Sequence, residues 1–520
     1  MEAVMFIAYS HKNGTDYARV VESEWKNGTS RQRIVHNLGR VLDKKKGIYK
    51  NRKQGVFEYC METDSFSPLE EEYAIVNEPL TKKEKKIVNF GDAYFLDAFL
   101  ENEGLKEAIK AIPCANQDSL MAMVLFYTLC SMSNCHAKDW LDSSYARYLF
   151  PKADLASQRI SELLVQIGQE DAWRAFFDKY IQYLDKIGLD YRKIIIDSTG
   201  LPNSIHFYLT AVSSHNGKVS NEIRLIFVAE ETTGLPIYMR YVQGSIIDIS
   251  TLVITVSELK KLSVCPDLAL LDAGYYSEKN VDYLMENKVD FVCRVQPNRR
   301  TFKKMVSENR ENLARRENLV RFENRLLYIK SAFTWLTENH QGWVYICLDL
   351  DRESIEREKL MNRKELSSMS MDDISDQLNT DGIFVMASSV ELSTDEIMPV
   401  YYTRQQVEQS FDVSKNQADL LPLRIQSEEA LRGHLLLAFI STVIYRRLHT
   451  ILSDPKLKGM PKKGKVLTPE FLIQNLGYQH AKVYSDEIIP QEANSKANLG
   501  YKLFGLKSPL SISLDSTSEK

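Results

Sequence analysis

Two acids close short apolar runs in this sequence. Asp197 ends Lys193-Ile194-Ile195-Ile196 and precedes Ser198-Thr199-Gly200, while Asp272 ends Leu268-Ala269-Leu270-Leu271 and precedes Ala273-Gly274-Tyr275. Runs of this length and composition read as buried strands. A carboxylate at a strand end in an open α/β sheet stands where ligands bind. Each acid alone also suits a turn or a helix N-cap. A third acid shifts the balance. Tyr401, Arg404, Glu408 and Lys415 have offsets of 0, 3, 7 and 14, which at about 100° per residue puts all four in a stripe about 60° wide on one helix. Val400, Val407 and Phe411 form an apolar seam beside it. Such a stripe suits a solvated ion-pair face. It equally suits a site where one acid binds a metal ion and the cations grip phosphates.

The elements that must position these residues can be read from periodicity. From Tyr191 strands and helices alternate: after the Asp197 strand come strands at Glu222–Ala229 and Leu235–Val242, a helix at Ile249–Leu262, the Asp272 strand, a helix at Glu278–Asn287 and a strand at Phe291–Val295. This order predicts an α/β core with a mixed sheet over residues 191–298. Residues 299–390 interrupt it as a mainly β insertion, with a charged run (Arg299–Arg321), strand-like Leu326–Ala332, Trp343–Leu348 and Gly382–Ala387, and an acidic, Met-rich stretch. Residues 391–455 return to helices, one of them from about Asp395 to Gln417, and residues 456–520 read as a loop-like tail containing Lys462-Lys463-Gly464-Lys465.

Ahead of the core, residues 1–60 form hairpins around Asn13-Gly14 and Asn27-Gly28, the strongest short hairpin signal. Residues 61–190 turn helical and are expected to bind DNA; Ala153–Ser161 suits a bundle helix or the start of a DNA-reading helix. The fold class is therefore α/β within a multi-domain α+β chain.

With 520 residues, 44% apolar and 26% charged, the chain is neither fibrous nor mainly disordered. Its net charge of −4 gives no overall basic field, but Arg31–Lys53 carries nine basic residues against one acid, Asp43. Seven cysteines without a C-x-x-C pair read as reduced thiols, and Cys130, Cys135 and His136 lie beside an apolar helix pattern rather than in a zinc motif. The N-terminus has no signal-peptide pattern, and the longest apolar run, Leu435–Tyr445, is 11 residues, about half a membrane span. A soluble, intracellular chain is expected.

Tyr-x2-Arg-x3-Glu-x6-Lys, complete here as Tyr401, Arg404, Glu408 and Lys415, resembles the signature of a large group of bacterial insertion-sequence transposases with a DDE catalytic triad. Asp272-Ala273-Gly274-Tyr275-Tyr276-Ser277 is similar to that family's D-x-G-[FY]-x-S, and Asp197 fits the first acid. The strand order between them resembles the family's RNase H-like fold. The family accommodates a largely β insertion domain in a gap like the 136 residues from Asp272 to Glu408. The stretch Asn27–Gly39 resembles the opening of long members, and Arg424-Ile425 through Arg432-Gly433-His434 resembles the family's C-terminal core helix.

The resemblance implies a transposase that cleaves DNA at transposon ends and transfers strands through Asp197, Asp272 and Glu408. These acids would hold two Mg²⁺ or Mn²⁺ ions, Asp197 bridging both. It implies that Arg404 and Lys415 hold end phosphates and that Tyr401 contacts the flanking strand. The partners implied are double-stranded DNA (terminal inverted repeats and target) and a second copy of the chain, in a bacterial or archaeal cytoplasm, with no membrane. A flipped base could stack on Trp335 or Trp343, although either suits the insertion's own core. The alternatives are an RNase H-like nuclease without strand transfer and a catalytically silent relative that binds DNA ends. An Asp-nucleophile phosphohydrolase needs a second acid two residues after the first, where this chain has Thr199.

Overall fold

The computed structural model describes residues 4–12, 15–26, 29–69, 85–203, 205, 207–215, 218–362, 369–416, 423, 425–454 and 467–514. The Asn-Gly turns at 13–14 and 27–28, Arg424 and Lys462–Lys465 lie outside these residues. The chain divides into two units, Met1–Lys83 and Glu84–Lys520.

In the first unit, β1 (Val4–Lys12), β2 (Thr15–Lys26), β3 (Thr29–Asp43), β4 (Ile48–Asn51), β5 (Gly55–Cys60) and β6 (Ser65–Pro68) form an antiparallel meander in chain order. Lys12 pairs with Thr15 and Lys26 with Thr29, so β1–β2 and β2–β3 are antiparallel neighbours. Val20, Leu38, Tyr49, Phe57 and Tyr59 make its core. The meander runs past the expected boundary at residue 60, because β6 covers the edge of β5.

The second unit opens with β7 (Lys86–Asn89) and seven helices: α1 (Gly91–Glu103), α2 (Leu105–Lys110), α3 (Gln117–Leu129), α4 (Ala137–Ser143), α5 (Ala146–Leu149), α6 (Ser157–Ile167) and α7 (Glu170–Lys186). The core strands follow: β8 (Lys193–Pro202), β9 (Ala211–His215), β10 (Lys218–Glu230), β11 (Pro236–Gln243), β12 (Leu268–Leu271) and β13 (Asp290–Val295). Helix α8 (Leu252–Lys261) links β11 to β12, and α9 (Glu278–Glu286) links β12 to β13. The order β11-β10-β8-β12-β13 joins an antiparallel trio to a parallel pair, with β8 and β12 parallel at the junction. This is the RNase H-like mixed sheet.

Residues 299–390 depart from the expected mainly β body. They contain α10 (Arg300–Leu313), α11 (Leu350–Met361) and α12 (Met371–Thr380) beside β14 (Leu319–Phe322), β15 (Arg325–Trp335), β16 (Gln341–Asp349) and β17 (Ile383–Ser388). The charged run from Arg299 hides an amphipathic helix, with Phe302, Met305, Val306 and Leu313 buried. The strands do not form a sheet of their own. Every residue of β17 is buried, and it pairs with β13 on one side and β16 on the other, so the core sheet continues outward to β14.

The expected single helix from Asp395 to Gln417 is broken into α13 (Ile397–Tyr402) and α14 (Gln405–Asn416). Beyond it, α15 (Glu428–Leu452) is long and apolar enough to cross a membrane but lies mostly buried in the fold. It packs against α3 and α6. Contact with α6 is so close that a Cβ on Gly433 would stand 2.1 Å from the Leu164 carbonyl oxygen. Ile160, Leu163, Leu164 and Ile167 of α6 are buried, which makes the Ala153–Ser161 stretch the entry to a bundle helix. The tail is not loop-like throughout. It folds as α16 (Pro469–Gly477), β18 (His480–Val483), β19 (Glu487–Pro490), α17 (Ser495–Leu503) and β20 (Ile512–Ser513), and β18 pairs with β7.

Candidate active site

Asp197 does not end its strand, as the apolar run suggested; β8 continues to Pro202, and Asp197 pairs with Phe227 of β10. What ends beside it is the parallel ladder. Ile196 is the last β8 partner of β12, opposite Leu271, so Asp197 and Asp272 leave that ladder side by side. Asp272 then starts a short turn in which Tyr275 N–H donates to its carbonyl oxygen at 3.0 Å.

The break between α13 and α14 brings the third acid in. Arg404 stands in the break, and its guanidinium donates to Asp197 Oδ2 at 2.5 Å and to Glu408 Oε1 at 2.9 Å, and lies 3.8 Å from Asp272 Oδ1. Tyr401 donates to Asp272 Oδ1 at 3.4 Å, and the Arg404 guanidinium lies 5.8 Å from the centre of its ring. Lys415 Nζ donates to Thr199 Oγ1 at 2.5 Å, two residues beyond Asp197. All six residues singled out by spacing thus meet at the end of the β8–β12 pair, although they reach it from two helices instead of one.

Burial sets the electrostatics. The Asp197 carboxyl is pushed up to about 7 by burial, with Asp272 and Glu408 adding repulsion and Arg404 opposing it. Burial works against the charge of Arg404, but Asp197, Tyr401, Asp272 and Glu408 outweigh it and raise its pKa. Burial lowers the Lys415 ammonium, and Asp412 and Glu222 oppose that. Burial also raises the Tyr401 phenol.

Three carboxylates therefore share one guanidinium, and burial raises the most buried of them, Asp197, above the ordinary carboxylate range. Carboxylate oxygens are the donors that hard divalent cations take, so the donor set fits such ions. Among the described residues no group of three His, Cys, Asp or Glu side chains closes on a common point; in the triad the Arg404 guanidinium lies among the acids.

The sequence reading missed the residues behind the acids. Asp248 Oδ1 accepts from Ser198 Oγ at 2.6 Å and from Arg224 Nη1 at 2.9 Å. A Cβ on Gly274 would stand 2.7 Å from Asp248 Oδ2, so the same carboxylate backs Ser198 of β8 and the turn after Asp272. Asn280 Nδ2 donates to the Ile249 and Tyr275 carbonyls at 2.9 and 2.8 Å and ties the Asp248 segment to that turn. The available signal was an acid set among isoleucines, Ile246-Ile247-Asp248-Ile249. Of the two tryptophans considered for base stacking, Trp343 packs on Phe333 at 5.3 Å and Trp335 is exposed.

The sheet order is RNase H-like, and Asp197 and Asp272 stand at the end of its central parallel pair. Residues 188–444 match the family model described as Transposase DDE domain, a span that contains all three acids and the insertion. No curated protein is found to match the chain. Among solved structures it is similar to one described as a cryo-EM structure of the piggyBac transposase synaptic complex with hairpin DNA, at 14% identity and a TM-score of 0.39, covering 74% of this chain and 79% of that one.

Proposed function

We propose that the chain is a transposase that cleaves DNA at transposon ends and joins the freed 3′-OH to a new strand, with Asp197, Asp272 and Glu408 as its triad. The observation that carries this reading is the convergence of the three acids, from β8, from the end of β12 and from α14, on the Arg404 guanidinium. Two divalent ions, Mg²⁺ or Mn²⁺, held by these acids would activate the attacking oxygen and stabilise the leaving one. Arg404 and Lys415 supply cations for the end phosphates, and the Tyr401 hydroxyl, held on Asp272, contacts the flanking strand. Ser198 and Gly274 keep the two aspartates beside each other through Asp248. Acting on two inverted repeats calls for a homodimer, and the setting is the cytoplasmic DNA of a bacterium or archaeon, with the insertion-sequence signature as its mark. In this reading residues 191–298 and 391–455 form the catalytic core, 299–390 the insertion within it, and 61–190 the helical, DNA-binding region.

The test is to incubate the protein with duplex DNA bearing its own element's ends, with and without Mg²⁺, beside Glu408→Gln. Metal-dependent nicking followed by joined or hairpin products, both lost in the variant, is the expected result. Nicking without joining would indicate a nuclease, and binding without cleavage in Mg²⁺ or Mn²⁺ would overturn the catalytic reading.

A further inference from the structure

The first unit carries a groove that the triad does not explain. It encloses about 820 Å³ between β3, β4 and the turn at residues 51–54, with Tyr17 of β2 and Phe66 of β6 at its sides. Arg40, Lys50, Arg52 and Lys53 line it, and none of its described lining residues is acidic. Lys50, Arg52 and Lys53 are exposed. Asp64 holds His36 at the rim at 3.0 Å, and Asp43 accepts from the backbone of Lys45 and Lys46 at 2.9 and 3.1 Å.

The surface is built, not frayed. Tyr17 stands directly opposite Arg40, and Arg40 directly opposite Lys50. The β2–β3 register slips at Leu38, a bulge that buries Leu38 and re-aims the strand beyond it. Gly39 takes a φ of +84° there, and a Cβ on it would stand 2.3 Å from the Lys50 carbonyl oxygen. Asn51 Oδ1 accepts from the Lys53 and Gln54 backbones at 3.0 and 2.8 Å, and its Nδ2 donates to the Asn37 carbonyl at 3.2 Å. That asparagine locks the turn presenting Arg52 and Lys53.

We infer that this groove docks the phosphate backbone of duplex DNA. Four cations with amide donors between them match a line of phosphates. Binding of single strands needs successive rings for stacking. Here Phe66 is packed on Tyr59 and Phe57 at 5.0 and 5.4 Å, which leaves Tyr17 as the exposed ring. The inference rests on the transposase reading for what brings the chain to DNA, but it is tested without cleavage.

The full chain is titrated in EDTA, by fluorescence anisotropy, against a short labelled duplex and against one of its strands, over a range of salt. Changing Arg40, Lys50, Arg52 and Lys53 to Gln together is expected to flatten the plot of log affinity against log salt by about 3.6, at about 0.9 per phosphate contact. The pair Arg52→Gln and Lys53→Gln leaves every strand pair intact and is expected to flatten it by about 1.8. An unchanged slope in the turn pair overturns the inference, as does a wild-type preference for the single strand. If groove variants flatten the slope while the wild type fails to cleave its ends in Mg²⁺, the groove stands and the catalytic reading falls. Cleavage by the wild type with unaltered salt slopes in the variants gives the reverse.

Discussion

Replacing Asp248 with Ala removes the acceptor shared by Ser198 and Arg224 and leaves a guanidinium in a site where its side chain is 10% exposed and that of Asp248 16%. Breaking a buried pair by removing one partner costs about 3–5 kcal/mol where the remaining charge is left alone; Arg224 keeps Glu222 at 3.9 Å, which sets the expected loss at the low end, about 3 kcal/mol. Asp248→Asn keeps the shape and the bond from Ser198 and loses only the charge assistance, at about 1.5–3 kcal/mol. Gly274→Ala pushes a methyl to 2.7 Å from Asp248 Oδ2, an overpacking of about 1–3 kcal/mol. The two sites are in contact, so they must couple: once Asp248 is Ala, the methyl at 274 has room. Urea unfolding of the four proteins of this cycle, read as midpoint shifts at constant m, measures that coupling. We expect the double variant to be more stable than the summed singles by about 1 kcal/mol or more. A cycle additive to within about 0.5 kcal/mol would refute the placement of Asp248 against the turn at Gly274.

Gly433→Ala puts a methyl 2.1 Å from the Leu164 carbonyl, and since both atoms sit on packed helices the melting point should fall with a loss of at least about 2 kcal/mol; an unchanged melting curve would sink that packing. Millimolar Mn²⁺ should raise the melting temperature of the wild type, by about 2.7 kcal/mol of stabilisation at a hundredfold excess over its dissociation constant, and leave Asp272→Asn unshifted. Alkylation at neutral pH, followed by peptide mapping, should mark Cys60 first: it is exposed, and hydrogen bonds around Thr63 lower its thiol pKa. Cys130, pushed up to about 12 by burial, and the buried Cys293 and Cys347 should react only after denaturation.

The acids were legible because each signal was local. A run such as Ile194-Ile195-Ile196 has to be buried, and helical spacing collects Tyr401, Arg404, Glu408 and Lys415 whether or not the helix is whole. The break at Arg404 was not legible. It depends on Arg404 finding two acids, Asp197 and Asp272, from distant parts of the chain as well as the neighbouring Glu408, a gain that no propensity scale contains. Pairings between distant strands were hidden for a similar reason. Leu268–Leu271 announces a strand, but nothing in Ile383–Ser388 says that its partners are β13 and β16 instead of strands of a separate body. Asp248 escaped because an acid at the start of a helix reads as a cap until its partners are known.

The pairing of β7 with β18 also bears on how the chain is made. The first unit needs only neighbouring hairpins, so it can form while synthesis continues. Strand β7 emerges next, yet its partner at His480–Val483 follows almost 400 residues later, on the order of half a minute at ribosomal rates. Throughout that interval the edge of β7 that pairs with β18 has no strand beside it. A product cut short before His480 would retain the triad and the groove, yet could not close this sheet. Proteolytic quality control could thus separate finished copies from truncated ones before either reaches DNA.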